Sequence, residues 1–133
     1  MARLFLWAPV VAYMAVIFWL SSMPHPPDPP GALSSLSDKS LHSLVYGGLA
    51  LLIGRALAGG WLRPATFGTC LLAALLTTGY GVTDEVHQHF VPPRQMEALD
   101  LAADAAGALI AALALYLVTR YSNAKGRIGF RAK

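Results

Sequence analysis

The stretch TDEVHQHFVPPRQMEALD, residues 83–100, places four carboxylates, two histidines and an arginine in a chain of which only 13% is charged. Two further sets sit apart from it or overlap its end: Asp38, His42 and Tyr46, and the pair Asp100 and Asp104, each spaced by four. On a helix that spacing stacks side chains on one face. It puts His42 about 6 Å and Tyr46 about 12 Å along the axis from Asp38. If His42 faces Asp104, the imidazole is a candidate general acid or base, since it titrates near neutral pH and a carboxylate orients it. Asp38, Asp84 and Glu85 join it as catalytic candidates. Lys39 and Arg94 are suited to clamping an anionic headgroup, with Tyr46, Gln88, Asp100 and Asp104 as further substrate contacts. Alternatively, Asp38, Asp84, Asp100 and Asp104 could hold a hard divalent cation such as Mg²⁺ or Ca²⁺. No close His/Cys spacing points to structural zinc. A purely structural account also exists: Arg94 pairs with Asp84, Glu85 or Asp100, and Asp38 and Asp100 favour the positive ends of their helices.

Four apolar segments must position these residues. LFLWAPVVAYMAVIFWL, residues 4–20, carries no charge, and about 20 mainly apolar residues cross a bilayer. Comparable helices are predicted over about 40–57, 64–83 and 99–119, with Ser37 as N-cap of the second. Trp7 and Trp19 lie near the ends of the first, as interfacial anchors do. That run lacks a small-x-small cleavage site, so it reads as a retained helix. Pro-rich residues 21–37 and the Pro92–Pro93 turn form loops on one side, and a Gly-Gly turn near Ala58–Arg63 forms one on the other. Lone Cys70 excludes an intrachain disulfide and fits a packing role. The predicted fold is all-α: one 133-residue domain, a four-transmembrane-helix bundle.

Laid out so, Arg3, Arg55, Arg63, Arg120, Lys125, Arg127, Arg131 and Lys133 fall on one side and only Lys39 and Arg94 on the other. The positive-inside rule then makes both termini cytoplasmic. All seven acids fall at or beyond the opposite helix ends, a segregation that topology signals do not require and work at the outer face does. The net charge of +3 therefore implies no nucleic-acid partner, and the basic tail 120–133 suits contact with anionic inner-leaflet lipid.

DKSLHSLVY, residues 38–46, followed by DEVHQHFVPPRQMEALD, residues 84–100, resembles the VanZ-like family of small polytopic membrane proteins, with FWLSSMP at the end of the first helix also similar. The resemblance singles out Ser21, Ser22, Asp38, Lys39, His42, Tyr46, Asp84, Glu85, Gln88, Phe90, Pro92, Arg94 and Asp100. Pro93 and Asp104 depart from the commoner Gly and Asn. It implies a bacterial plasma-membrane location and a namesake phenotype of low-level teicoplanin resistance, without a settled biochemical activity.

Three functional classes remain open. An outer-leaflet enzyme would act on an amphiphilic envelope lipid or lipid-linked precursor, with membrane lipids as partners. A non-catalytic module would bind that headgroup or the antibiotic. A transporter fits less well, because the cytoplasmic halves of the helices carry almost no polar residue. Substrate, metal and oligomeric state are not fixed by sequence. Cysteines introduced at Gly31 and Gln95 are expected to react with an impermeant thiol reagent outside intact cells and one at Asn123 is not; labelling at Asn123 alone would invert the topology.

Overall fold

The computed structural model of the chain describes the backbone of residues 2–61 and 63–131 and the side chains of residues 4–61 and 63–123. The side chains of Arg3, Lys125, Arg127 and Arg131, and Lys133 altogether, lie outside it, and with them part of the charge asymmetry and the basic tail's lipid contact. Four α-helices follow in chain order: α1 (Ala2–Ser21), α2 (Asp38–Ala58), α3 (Phe67–His89) and α4 (Ala98–Arg131). A short 3-10 turn, Gly31–Ser35, interrupts the Pro-rich loop.

Local chemistry sets the helix ends. The Ser37 hydroxyl accepts from Ser40 N–H and caps α2, as the sequence predicts, and Thr66 caps α3 by accepting from Thr69 N–H. Gly59, at φ 84°, closes α2 in the left-handed region that a side chain would resist. Three boundaries differ from expectation. α3 starts at Phe67 rather than near residue 64, because Thr66 is its cap. α3 runs to His89 rather than ending near residue 83, because Pro92 is the first residue that blocks it. α4 continues past residue 119 to Arg131, since no proline interrupts that stretch.

Three of the helices, through Leu4–Ser21, Asp38–Ala58 and Ala98–Asn123, are long and apolar enough to cross a membrane. α3 has the length, at 23 residues, but its last turns carry Asp84, Glu85, His87, Gln88 and His89. Composition alone therefore does not mark it as a span. Outward positions are greasy: Leu75, Ile110 and Leu113 are 61%, 69% and 57% exposed, a distribution suited to lipid rather than water.

The interior is built from two clusters. Val10 and Ile17 of α1 pack with Tyr46, Leu49 and Ile53 of α2. Ala50, Cys70, Ala74, Ala108 and Ala112 fill the seam between α2, α3 and α4, and Cys70 has the packing place expected of it. Small residues let these helices approach closely, which is how bundles associate where lipid offers no hydrophobic drive. The tightest point is Gly107, where an added Cβ would lie 2.0 Å from the Ser43 carbonyl oxygen of α2. Gly107→Ala is expected to lower thermal stability in detergent, by about 1–3 kcal/mol for such overpacking. Gly79→Ala, where nothing lies within 4 Å, is expected to be neutral or mildly stabilising; equal effects would mean that the α2–α4 approach is not tight.

Candidate functional site

The C-terminal ends of α1 and α3 and the N-terminal ends of α2 and α4 meet at one end of the bundle, and the acids meet there with them. Asp84, on α3, is 3% exposed. Its Oδ2 accepts three hydrogen bonds: from Ser21 Oγ of α1 at 2.8 Å, Tyr46 OH of α2 at 2.9 Å and Gln88 Nε2 one turn along α3 at 2.9 Å. The i, i+4 spacing of Asp84 and Gln88 makes the last bond possible. Oδ1 of Asp84 is buried with no partner.

His42 and Asp104 do face one another: Nδ1 lies 3.0 Å from Oδ1, and a carboxylate there can only accept, so the ring donates. That leaves Nε2 as the ring nitrogen with no protein partner among the described residues. The ring lies parallel to Tyr46, with centroids 6.3 Å apart, as their shared helix face requires. Glu85 is fully buried and accepts from the Glu97 backbone N–H at 2.9 Å through Oε2. Gly81 makes room for this layer, since a Cβ there would sit 3.0 Å from Asp104 Oδ2 and 3.3 Å from the Tyr46 ring.

The cations divide differently from expectation. Lys39 is bonded to Asp100 Oδ1 and to Glu97 Oε2, the latter at 2.6 Å, and lies 3.6 Å from Asp38. An ammonium shared by three carboxylates ties α2 to the start of α4 and is poorly placed to clamp an outside anion. Asp100, 5% exposed, is thus an ion-pair partner of Lys39 and not of Arg94. Arg94 forms no ion pair with Asp84, Glu85 or Asp100 and instead lines a cavity.

That cavity encloses about 320 Å³. Ile17, Leu20, Leu41 and Val45 give it apolar walls, Pro26 and Pro27 of the long loop border it, and Asp28, Asp38, His42, Tyr46, Asp84, Gln88 and Arg94 supply its polar surface. Of the sequence candidates, then, six line the cavity, Glu85 and Asp104 lie behind His42, and Lys39 and Asp100 form the neighbouring ion cluster. Ser21, singled out by resemblance alone, lines it too. Glu97 was no candidate; it lies after the prolines, and no helical periodicity links it to Lys39. His87 stays outside the cavity, stacked on Phe18 with centroids 4.4 Å apart and 3.0 Å from Ser22 Oγ. A larger groove of about 650 Å³ between α2 and α4 is mainly apolar, with Lys39, Ser40 and Ser43 as its polar side chains.

The metal-ligand geometry also departs from the predicted set of four aspartates. Among the described residues the donor atoms converge in two trios, Asp38–His42–Asp100 and His42–Glu85–Asp104, each within 4.8 Å. Asp84 belongs to neither trio.

Comparison with known proteins adds one finding to this geometry: a family model described as VanZ/LLP1 matches residues 6–119. The chain belongs to the VanZ/LLP1 family. The matched span runs from α1 through the greater part of α4 and includes every residue of the cavity and of both trios. No curated protein and no solved structure matches the chain.

The division between the two cations can be tested directly. Lys39→Met is expected to destabilise the folded protein by about 1–3 kcal/mol, the scale for charged groups left unpaired. Arg94→Met should cost less than about 0.5 kcal/mol, whatever it does to function. A detergent thermal melt showing the reverse order would contradict the placement of both side chains.

Proposed function

We propose that this VanZ/LLP1-family chain is a multi-pass protein of the bacterial plasma membrane that acts on an amphiphilic cell-envelope lipid or lipid-linked precursor. All four helices cross, both termini are cytoplasmic, and the acidic end faces outward. The crossing of α3 is supported by the burial of its polar groups: Asp84, Glu85 and Gln88 are 3%, 0% and 2% exposed, so the bundle rather than lipid surrounds them.

The observation that carries the proposal is the cavity of about 320 Å³ with apolar walls and a polar surface. A hydrocarbon segment suits Ile17, Leu20, Leu41 and Val45. An anionic headgroup suits Arg94, whose planar guanidinium binds phosphate or carboxylate in a fork and forms no ion pair with a carboxylate among the described residues. His42, oriented through Nδ1, exchanges a proton with the headgroup through Nε2, while Asp84 holds Oδ1 in reserve as acceptor. Such chemistry would change an envelope component that glycopeptides recognise, in keeping with the family's namesake teicoplanin resistance.

A second reading, headgroup or antibiotic binding without catalysis, is favoured by one detail. The Ser21 and Tyr46 hydroxyls both donate to Asp84, so neither is poised by His42 as a nucleophile. The two readings share a site and differ in whether the ligand leaves altered.

His42→Ala and Asp84→Asn are each expected to abolish the resistance phenotype while the protein still inserts and folds, and their combination to add almost nothing, as for groups serving one function. His25→Ala should be tolerated. Full phenotype in both single variants would remove the cavity from the function.

A further inference from the structure

Behind His42, on the side away from the cavity, two carboxylates are buried more completely than their hydrogen bonds justify. Glu85 and Asp104 are both 0% exposed. Each has one satisfied oxygen: Glu85 Oε2 accepts from the Glu97 N–H and Asp104 Oδ1 from His42. Each also has one oxygen, Oε1 and Oδ2, sealed from water and without any partner. Ionised carboxylates only accept, so these oxygens cannot satisfy each other. Two such charges held beside one imidazole are unfavourable unless a proton or a cation joins them. Lys39 does not serve, because its ammonium is held by Asp100, Glu97 and Asp38.

We propose that His42, Glu85 and Asp104 form a binding site for one divalent transition-metal cation, with Zn²⁺ or Mn²⁺ as its chemical class. The donor atoms lie within 4.8 Å of one another, so that side-chain adjustments of a few tenths of an ångström would bring all three to one ion at about 2.0–2.2 Å. One imidazole nitrogen and two carboxylates are a mixed N/O set, which suits Zn²⁺ or Mn²⁺ better than the all-oxygen shell of Ca²⁺. The other trio, Asp38–His42–Asp100, is the weaker candidate: Asp38 is exposed and Lys39 already neutralises Asp100. The ligands come from α2, α3 and α4, so the ion would join three helices at the layer where Gly81 admits Asp104. With Nδ1 coordinated, the ring carries its proton on Nε2, the nitrogen through which His42 exchanges a proton with the headgroup. The site adjoins the headgroup cavity but uses Glu85 and Asp104, which do not line it.

The test is metal binding by the full-length protein in detergent after chelation. Calorimetric titration with Zn²⁺ should give one site per chain, weakened about tenfold or more in Glu85→Gln and in Asp104→Asn and unchanged in Asp38→Asn. Should either variant fail to fold, the wild type decides by NMR: substoichiometric Mn²⁺ should broaden the His42 ring signals before those of His25, His87 and His89. No Zn²⁺ or Mn²⁺ binding to the folded wild type, binding indifferent to both Glu85→Gln and Asp104→Asn, or broadening led by another histidine overturns the site. Absence of metal binding to the folded wild type, with the resistance phenotype still lost in His42→Ala and Asp84→Asn, would refute this inference and leave the headgroup reading, on which it rests, standing.

Discussion

Asp84 Oδ2 is the point on which the acidic end is assembled. Donors from α1, α2 and α3 converge on one carboxylate oxygen, inside a bundle whose outer surface is hydrocarbon. In that setting an unpaired polar group has no water to turn to, so Ser21, Tyr46 and Gln88 are constrained to aim at the same spot. Those constraints fix the end of α1 against α2 and α3 and hold the Tyr46 ring against His42. The polar surface of the cavity is therefore shaped by the same bonds that make the burial of Asp84 tolerable.

A second layer links α2 to α4. Lys39 spans to Glu97 and Asp100 near the rim, His42 spans to Asp104 one turn deeper, and below both the backbone of Gly107 comes up against that of Ser43. Charge, hydrogen bond and close packing follow in order from the polar end inward, as the rising cost of an unpaired group with depth requires. The Ala-rich seam continues the approach where no polar group remains.

The helical layout was legible because its signals are local. Apolar runs, the Ser37 cap and the glycine turn mark α2 within the chain itself, and i, i+4 spacing is enough to place Asp38, His42 and Tyr46 on one face and to match His42 in depth with Asp104. Partner choice was less legible, because it depends on loop geometry. Sequence makes Arg94 and Lys39 equivalent cations near the same acids; only the fold shows that Glu97 returns beside Lys39 and that Arg94 is left over the cavity. The donor trios were hidden for the same reason. Glu85 and Asp104 are 19 positions apart, and their convergence on His42 depends on how α3 and α4 pack. The sequence also understated α3, whose polar last turns look like a helix end and are continuous helix with Asp84, Glu85 and Gln88 buried.

The central claim is that the cavity over His42 holds an amphiphile of the cell envelope. Photocrosslinking in living cells tests it most directly, with a photoreactive phenylalanine analogue placed at Leu41 on the cavity wall and, as reference, at Leu113 on the exposed face of α4. Mass spectrometry of the adducts is expected to show, at Leu41, one anionic amphiphile enriched over its share of the membrane, and bulk phospholipid at Leu113. Identical adduct profiles at the two positions would contradict the account and leave the acidic end as a structural joint between helices.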